Sequence, residues 1–307
     1  MYHLATVFPF LKRIGRLPIS RDQAIFIMVI LNELFLGLDH YLAHLISGTI
    51  RTYEAVPIVF GFAAGTILIL LFILGLRKRD LAATLATVVL ILSIAVGITG
   101  WVFHFMRAIL ENAPVGQRLS LQLLVWAPPI IAPLTSSQMG LLGIIAVWRE
   151  DPVDGGRLRL NGNFHINALF SKSRIYFMLV GLGILATFMS STLDHARTAF
   201  ENPWLWVPVA AGVFGAYMGI ALGVMQRPSR GDLIAFTVAM FLLIAVGITG
   251  SWLHIVQDWI DGGHAFVLEK FTAEAPFLAP LLFCDMGMLG LVAMMDPGGS
   301  GIDGKGP

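Results

Sequence analysis

The chain has 307 residues, of which 57% are apolar and only 13% charged, with a mean hydropathy of +0.80. Soluble domains carry about 25% charged residues, so an ordinary soluble enzyme, a disordered chain and a collagen-like chain are excluded and a polytopic membrane protein remains. The net charge of +1 leaves no footprint for nucleic acid, and the single cysteine, Cys284, excludes disulfides, zinc ribbons and iron–sulfur clusters.

Residues 1–22 lack the order of a cleaved signal peptide, because their basic residues follow the apolar patch. They read as a cytoplasmic interfacial segment. Eight apolar segments then reach the roughly 20 residues that a helix needs to cross a bilayer. They lie near 23–47, 55–76, 81–110, 120–148, 174–196, 204–225, 232–260 and 275–295. Fifteen of the 20 Lys and Arg fall on one side of this arrangement, which places both termini in the cytoplasm of a bacterial inner membrane. The expected organisation is an interfacial segment (1–22), four spans (23–149), a cytoplasmic linker (150–173), four more spans (174–296) and a cytoplasmic tail (297–307). No phosphate loop, nucleophile elbow or metalloprotease motif occurs.

The second half repeats the first. IAVGITG stands at Ile94–Gly100 and again at Ile244–Gly250, LDH at 38–40 and 193–195, and MGLLG (139–143) answers MGMLG (286–290). An even number of spans per repeat makes the halves parallel, related by an axis along the membrane normal. The expected fold class is all-α, with eight transmembrane helices as two parallel four-helix bundles. A weaker echo, His3, Ala5, Phe8 and Lys12 against His165, Ala168, Phe170 and Lys172, suggests a short interfacial segment before each half.

Six of the eight histidines fall at or near the outer ends of spans, and four of them are repeat partners: His40 with His195, and His104 with His254. The first and third helices of an up-down bundle lie diagonally across its core, so each repeat can point two imidazoles at one another. Gly97, Gly100 and His104 share one helical face, as do Gly247, Gly250 and His254. Small residues below a ligating histidine leave a slot that suits a flat ring. His44, one turn beyond His40, is an alternative ligand. Asp39 and Asp194 could ligate a metal or support a ligand.

This pattern of His40, His104, His195 and His254 with Gly97, Gly100, Gly247 and Gly250 resembles the membrane-integral bis-histidine b-type cytochromes. In those proteins two histidines from different helices of a bundle hold haem, with glycines facing the ring. The resemblance implies one or two b-type haems near the outer face, and a quinone as a further ligand. Non-haem iron or copper is the alternative, since imidazole suits both.

Glu33 falls near mid-membrane in the first span, and Asp285 at similar depth in the last. Their repeat partners are Phe188 and Gln138, so the halves differ where ionisable groups sit. Acids at such depth are costly, and both are candidates for proton or quinone handling, or for packing as protonated, hydrogen-bonded groups. The expected function is an electron-transfer subunit of a membrane oxidoreductase complex. It would work in the lipid bilayer with other subunits, exchanging electrons between a periplasmic redox protein and quinone. The rival expectations are a repeat-built transporter, for which Pro133 and Pro280 could kink spans four and eight, and a structural or assembly subunit.

Overall fold

Lipid offers the backbone no hydrogen-bond partner, so apolar segments satisfy their own N–H and C=O groups by coiling into helices. The computed structural model describes residues 4–13, 18–46, 50–111, 120–162, 164–265, 267, 270 and 277–296. Its helices are α1 (Leu4–Val7), α2 (Arg21–Ile46), α3 (Ala55–Gly75), α4 (Arg79–Met106), α5 (Leu121–Trp126), α6 (Leu134–Val147), α7 (Lys172–Ala196), α8 (Trp206–Val224), α9 (Arg230–Asp261) and α10 (Leu278–Ala293). Six of them, α2, α3, α4, α7, α8 and α9, are long and apolar enough to cross a membrane.

The fourth span departs from expectation. Residues 120–148 do not form one helix: α5 ends at Trp126, a non-helical run covers 127–133, and α6 begins at Leu134. Pro128 and Pro129 cause the break, because proline lacks an N–H and pushes the residue before it out of the helical region. Ala127 is accordingly extended, with φ −71° and ψ 165°. Pro133 then starts α6 with a helix-compatible φ of −61°. In α10, Pro280 sits in the first turn, where its missing N–H costs nothing. The 14 residues of α6 and 16 of α10 span about 21 and 24 Å, short of the roughly 30 Å hydrocarbon core. The start of the last expected span, 275–276, and the tail 297–307 lie outside the described residues.

Two rings of helices result. In the first, α2 packs on α3, α3 on α4, α4 on α6, and α6 back on α2. In the second, α7 packs on α8, α8 on α9, α9 on α10, and α10 on α7. The rings meet along a seam where α2 touches α10 and α6 touches α7. The central core is apolar and continuous across this seam, with Ile25, Val29, Met139, Leu142, Phe177, Ile184, Leu289 and Met286 all buried.

The linker is not purely irregular. Arg149–Glu150 (β1), Arg157–Arg159 (β2) and His165–Asn167 (β3) form a small antiparallel sheet, with Leu158 buried. The expected interfacial segment around His165 is therefore a strand, and Lys172 is no interfacial residue. Its ammonium is buried and reaches the Asp22 carboxylate at 2.5 Å and the Trp148 carbonyl at 2.6 Å. Arg21 donates to Ser173 Oγ at 2.6 Å, and Tyr176 OH donates to Asp22 at 3.0 Å. This buried polar cluster ties α2 to α7 at the end of the rings that carries the sheet.

Candidate functional site

The histidines of the long helices gather at the opposite end. α2 and α4 face one another diagonally across the first ring, as expected, and each brings imidazoles to its far end. The rings of His44 and His104 lie 6.2 Å apart, centre to centre, with planes at 87°. His104 Nδ1 is 2.8 Å from the Pro129 carbonyl. A carbonyl can only accept, so Nδ1 carries the proton and the lone pair of neutral His104 is on Nε2. His44 Nδ1 lies 3.9 Å from the buried Glu54 carboxylate, which in turn accepts from the Arg51 backbone N–H at 2.8 Å. His40 is within electrostatic range of both His44 and His104, and its Nδ1 is buried without a hydrogen-bond partner. The close ring partner of His104 is thus His44, with His40 a turn away.

The second ring is built differently. His195 and His254 are within electrostatic range of each other. The His195 ring packs on Phe200 at 6.4 Å, and Phe200 stacks on Trp206 at 4.4 Å. Asp194 lies 3.5 Å from Arg197. Asp39 is exposed on the outside of α2.

The four glycines do not border an open slot. A Cβ on Gly97 would lie 2.6 Å from the Ser137 backbone nitrogen, and one on Gly247 would lie 2.5 Å from that of Cys284. Gly100 and Gly250 are closed off by the proline rings of Pro133 and Pro280, whose Cβ atoms would lie 2.9 and 3.0 Å from an added Cβ. Each glycine face is filled by α6 or α10, so these positions fit close helix packing and do not fit a porphyrin ring. The His44 and His104 ring centres stand at a separation that two imidazoles holding one metal would have. Two imidazoles bound to one metal from opposite sides, at about 2.0–2.1 Å each, have ring centres roughly 6 Å apart. Ligating histidines also usually donate their other ring N–H to a carbonyl or carboxylate, as His104 does here. Among the described residues, no group of three or more His, Cys, Asp or Glu is placed to hold a bare metal ion.

No known protein family, curated protein or solved structure matches this chain. Its chemistry rests on the geometry alone.

Glu33 is 1% exposed at the middle of α2 and points into the first ring, where Ser93 of α4 hydrogen-bonds its carboxyl group. Its Oε1 has no partner. Asp285 faces the seam instead and accepts from Asn32 Nδ2 at 3.1 Å, while its Oδ2 is buried without a partner. Gln138, the sequence counterpart of Asp285, also crosses the seam, donating to the Leu179 carbonyl at 3.2 Å. Glu33 and Asp285 therefore do not form one pair: they meet different faces of α2.

Sequence reasoning missed Asn32, Ser93 and Arg197. Arg197, at the end of α7, donates to the Val125 carbonyl at 2.9 Å and the Ala127 carbonyl at 3.1 Å. A signal for it does exist. Val125 and Pro129 would take their helical hydrogen bonds from residues 129 and 133, both prolines. Prolines four apart leave two carbonyls in need of outside donors.

Proposed function

We propose that this chain is a membrane-embedded electron-transfer subunit, spanning the bilayer eight times as two parallel four-helix repeats. The carrying observation is the His44–His104 pair, two imidazoles from diagonal helices with the His104 Nδ1 proton already engaged. In this reading His104 and His44, or His40 a turn below, would hold one b-type haem at the histidine end of the first ring. Bound haem would supply a one-electron couple. The chain's own part is to fix the two half-buried imidazoles and to offer Glu33 on the same face of α2 as His40 as a proton acceptor or quinone contact. Asp285 serves the seam. The matching order of helix neighbours in the two rings and the equivalent closures at Gly97 and Gly247 support the repeat reading. The bias of basic residues supports a reading in which the sheet end lies in the cytoplasm of a bacterial inner membrane and the histidine end outside, toward a soluble redox partner and other subunits.

The test is an absorption spectrum of the purified full chain, oxidised and reduced. A Soret band with a reduced α-band is expected, and a colourless, metal-free protein overturns the reading. One observation favours a second reading. The fourth span is broken, and discontinuous helices at a repeat interface are a feature of transporters. Solute flux in proteoliposomes, with no absorption band, would support that instead.

A further inference from the structure

The break in the fourth span is closed from both rings. A helix through 121–133 would pair the Val125 carbonyl with the N–H of residue 129 and the Pro129 carbonyl with the N–H of residue 133. Both residues are prolines, so neither N–H exists. Arg197, at the end of α7 in the second ring, replaces the first of them: its Nε donates to Val125 O at 2.9 Å, and its Nη2 to Ala127 O at 3.1 Å. His104 of the first ring replaces the second, through Nδ1 to Pro129 O at 2.8 Å. The run between α5 and α6 also packs on the end of α4, where Ala108, Ala127 and Ile130 form a small buried cluster with Trp101 and Leu124 against it.

We infer that Arg197 is a positioning residue for His104: it fixes the segment whose Pro129 carbonyl holds the His104 Nδ1 proton, so that the second ring sets which imidazole nitrogen the first ring presents. The consequence for a ligand rests on the redox reading above; the hydrogen-bond chain does not. Two forked donors on one guanidinium suit two neighbouring carbonyls, which a lysine ammonium cannot reproduce. The charged or titratable groups around this hydrogen-bond chain are Asp194 beside Arg197, and His40, His44, Glu54 and Arg107 around His104.

The test is nitrogen-15 NMR of the full-length chain labelled at histidine, with His104→Gln to assign the His104 signal. If the purified protein carries haem, the spectra are taken in the reduced, diamagnetic state. The Nδ1 proton of His104 is expected to be visible and sheltered from water exchange. In Arg197→Gln it should exchange at least about tenfold faster, as a hydrogen bond loses its fixed acceptor, and Arg197→Lys should fall between. Unchanged exchange in Arg197→Gln overturns the inference. If that variant does not fold, Arg197→Lys decides by the same readout. A colourless protein that shows this exchange pattern removes the redox reading and leaves the positioning role standing.

Discussion

Asp285, on the last helix, accepts a hydrogen bond from Asn32, on the first long helix, at 3.1 Å across 253 residues of chain. Asn32 also donates to the Met28 carbonyl one turn back, so its amide bridges its own helix and the opposite ring. Glu33 is the next residue, yet a helix turns by about 100° per residue, and its carboxyl group enters the ring interior beside Ser93. Neighbouring positions on α2 thus serve two different compartments.

Removing the Asp285 acceptor is expected to weaken the seam modestly. Hydrogen bonds between membrane helices average about 0.6 kcal/mol and reach about 1.7. A double-mutant cycle of Asn32→Leu and Asp285→Leu, read by unfolding in mixed micelles, should give a coupling in that range. Glu33→Gln should leave the coupling unchanged. A coupling of zero means the contact contributes nothing.

The same Glu33→Gln variant separates proton handling from packing. It keeps the shape and a hydrogen-bond partner for Ser93 but removes the titratable group. Quinone-linked turnover is expected to slow while the absorption spectrum stays as it was. Equal turnover in variant and parent assigns Glu33 to packing.

The glycines give a prediction independent of any cofactor. Gly97→Ala and Gly247→Ala each push a methyl against backbone of the facing helix, at 2.6 and 2.5 Å. Overpacking of this kind costs about 1–3 kcal/mol, so both variants should melt earlier by similar amounts. Had these faces lined a ring, the fold would survive and only an absorption band would change.

Histidine variants should divide by ring. His104→Ala and His44→Ala are expected to abolish any haem band, and His254→Ala to leave it. If His40→Ala abolishes the band while His44→Ala preserves it, the ligand is the residue one turn below.

Lys172 is 1% exposed, and its ammonium is held by Asp22 and the Trp148 carbonyl. Breaking a buried pair from one side costs about 3–5 kcal/mol, and the partial exposure of Asp22 places Lys172→Met at the lower end. The loss should be insensitive to added salt, because screening acts weakly on buried charges. Asp22→Asn with Lys172→Met should cost less than the sum of the two.

Hydropathy made most of the helices readable: 55–76 against Ala55–Gly75, 174–196 against Lys172–Ala196, and 232–260 against Arg230–Asp261. It missed the interruption at 127–133, because an apolar run reads the same whether or not its backbone is helical; Pro128 and Pro129 carried the signal. The glycine faces were readable as faces and not as contacts. Gly97, Gly100 and His104 line up on α4 by spacing alone, but only the fold puts Ser137 and Pro133 against them. The diagonal meeting of α2 and α4 followed from bundle topology. The choice of His44 over His40 as the ring beside His104 did not, since it depends on helix rotation, which spacing leaves free. Lys172 looked like a loop charge because nothing local announces that Asp22 and Trp148 converge on it.

The interruption between α5 and α6 bears on how the protein is made. A 14-residue helix is a poor substrate for insertion into lipid by itself, and the carbonyls ahead of it lack donors within their own segment. One of those donors is Arg197, which the ribosome adds about seventy residues after Val125. While only the first ring's own sequence has been translated, the Val125 and Ala127 carbonyls lack their donor, and the α5–α6 segment is left incompletely satisfied until the end of α7 arrives. Residues 1–149 expressed alone should then be degraded or held by the insertion machinery, and co-expression with the remainder should rescue them.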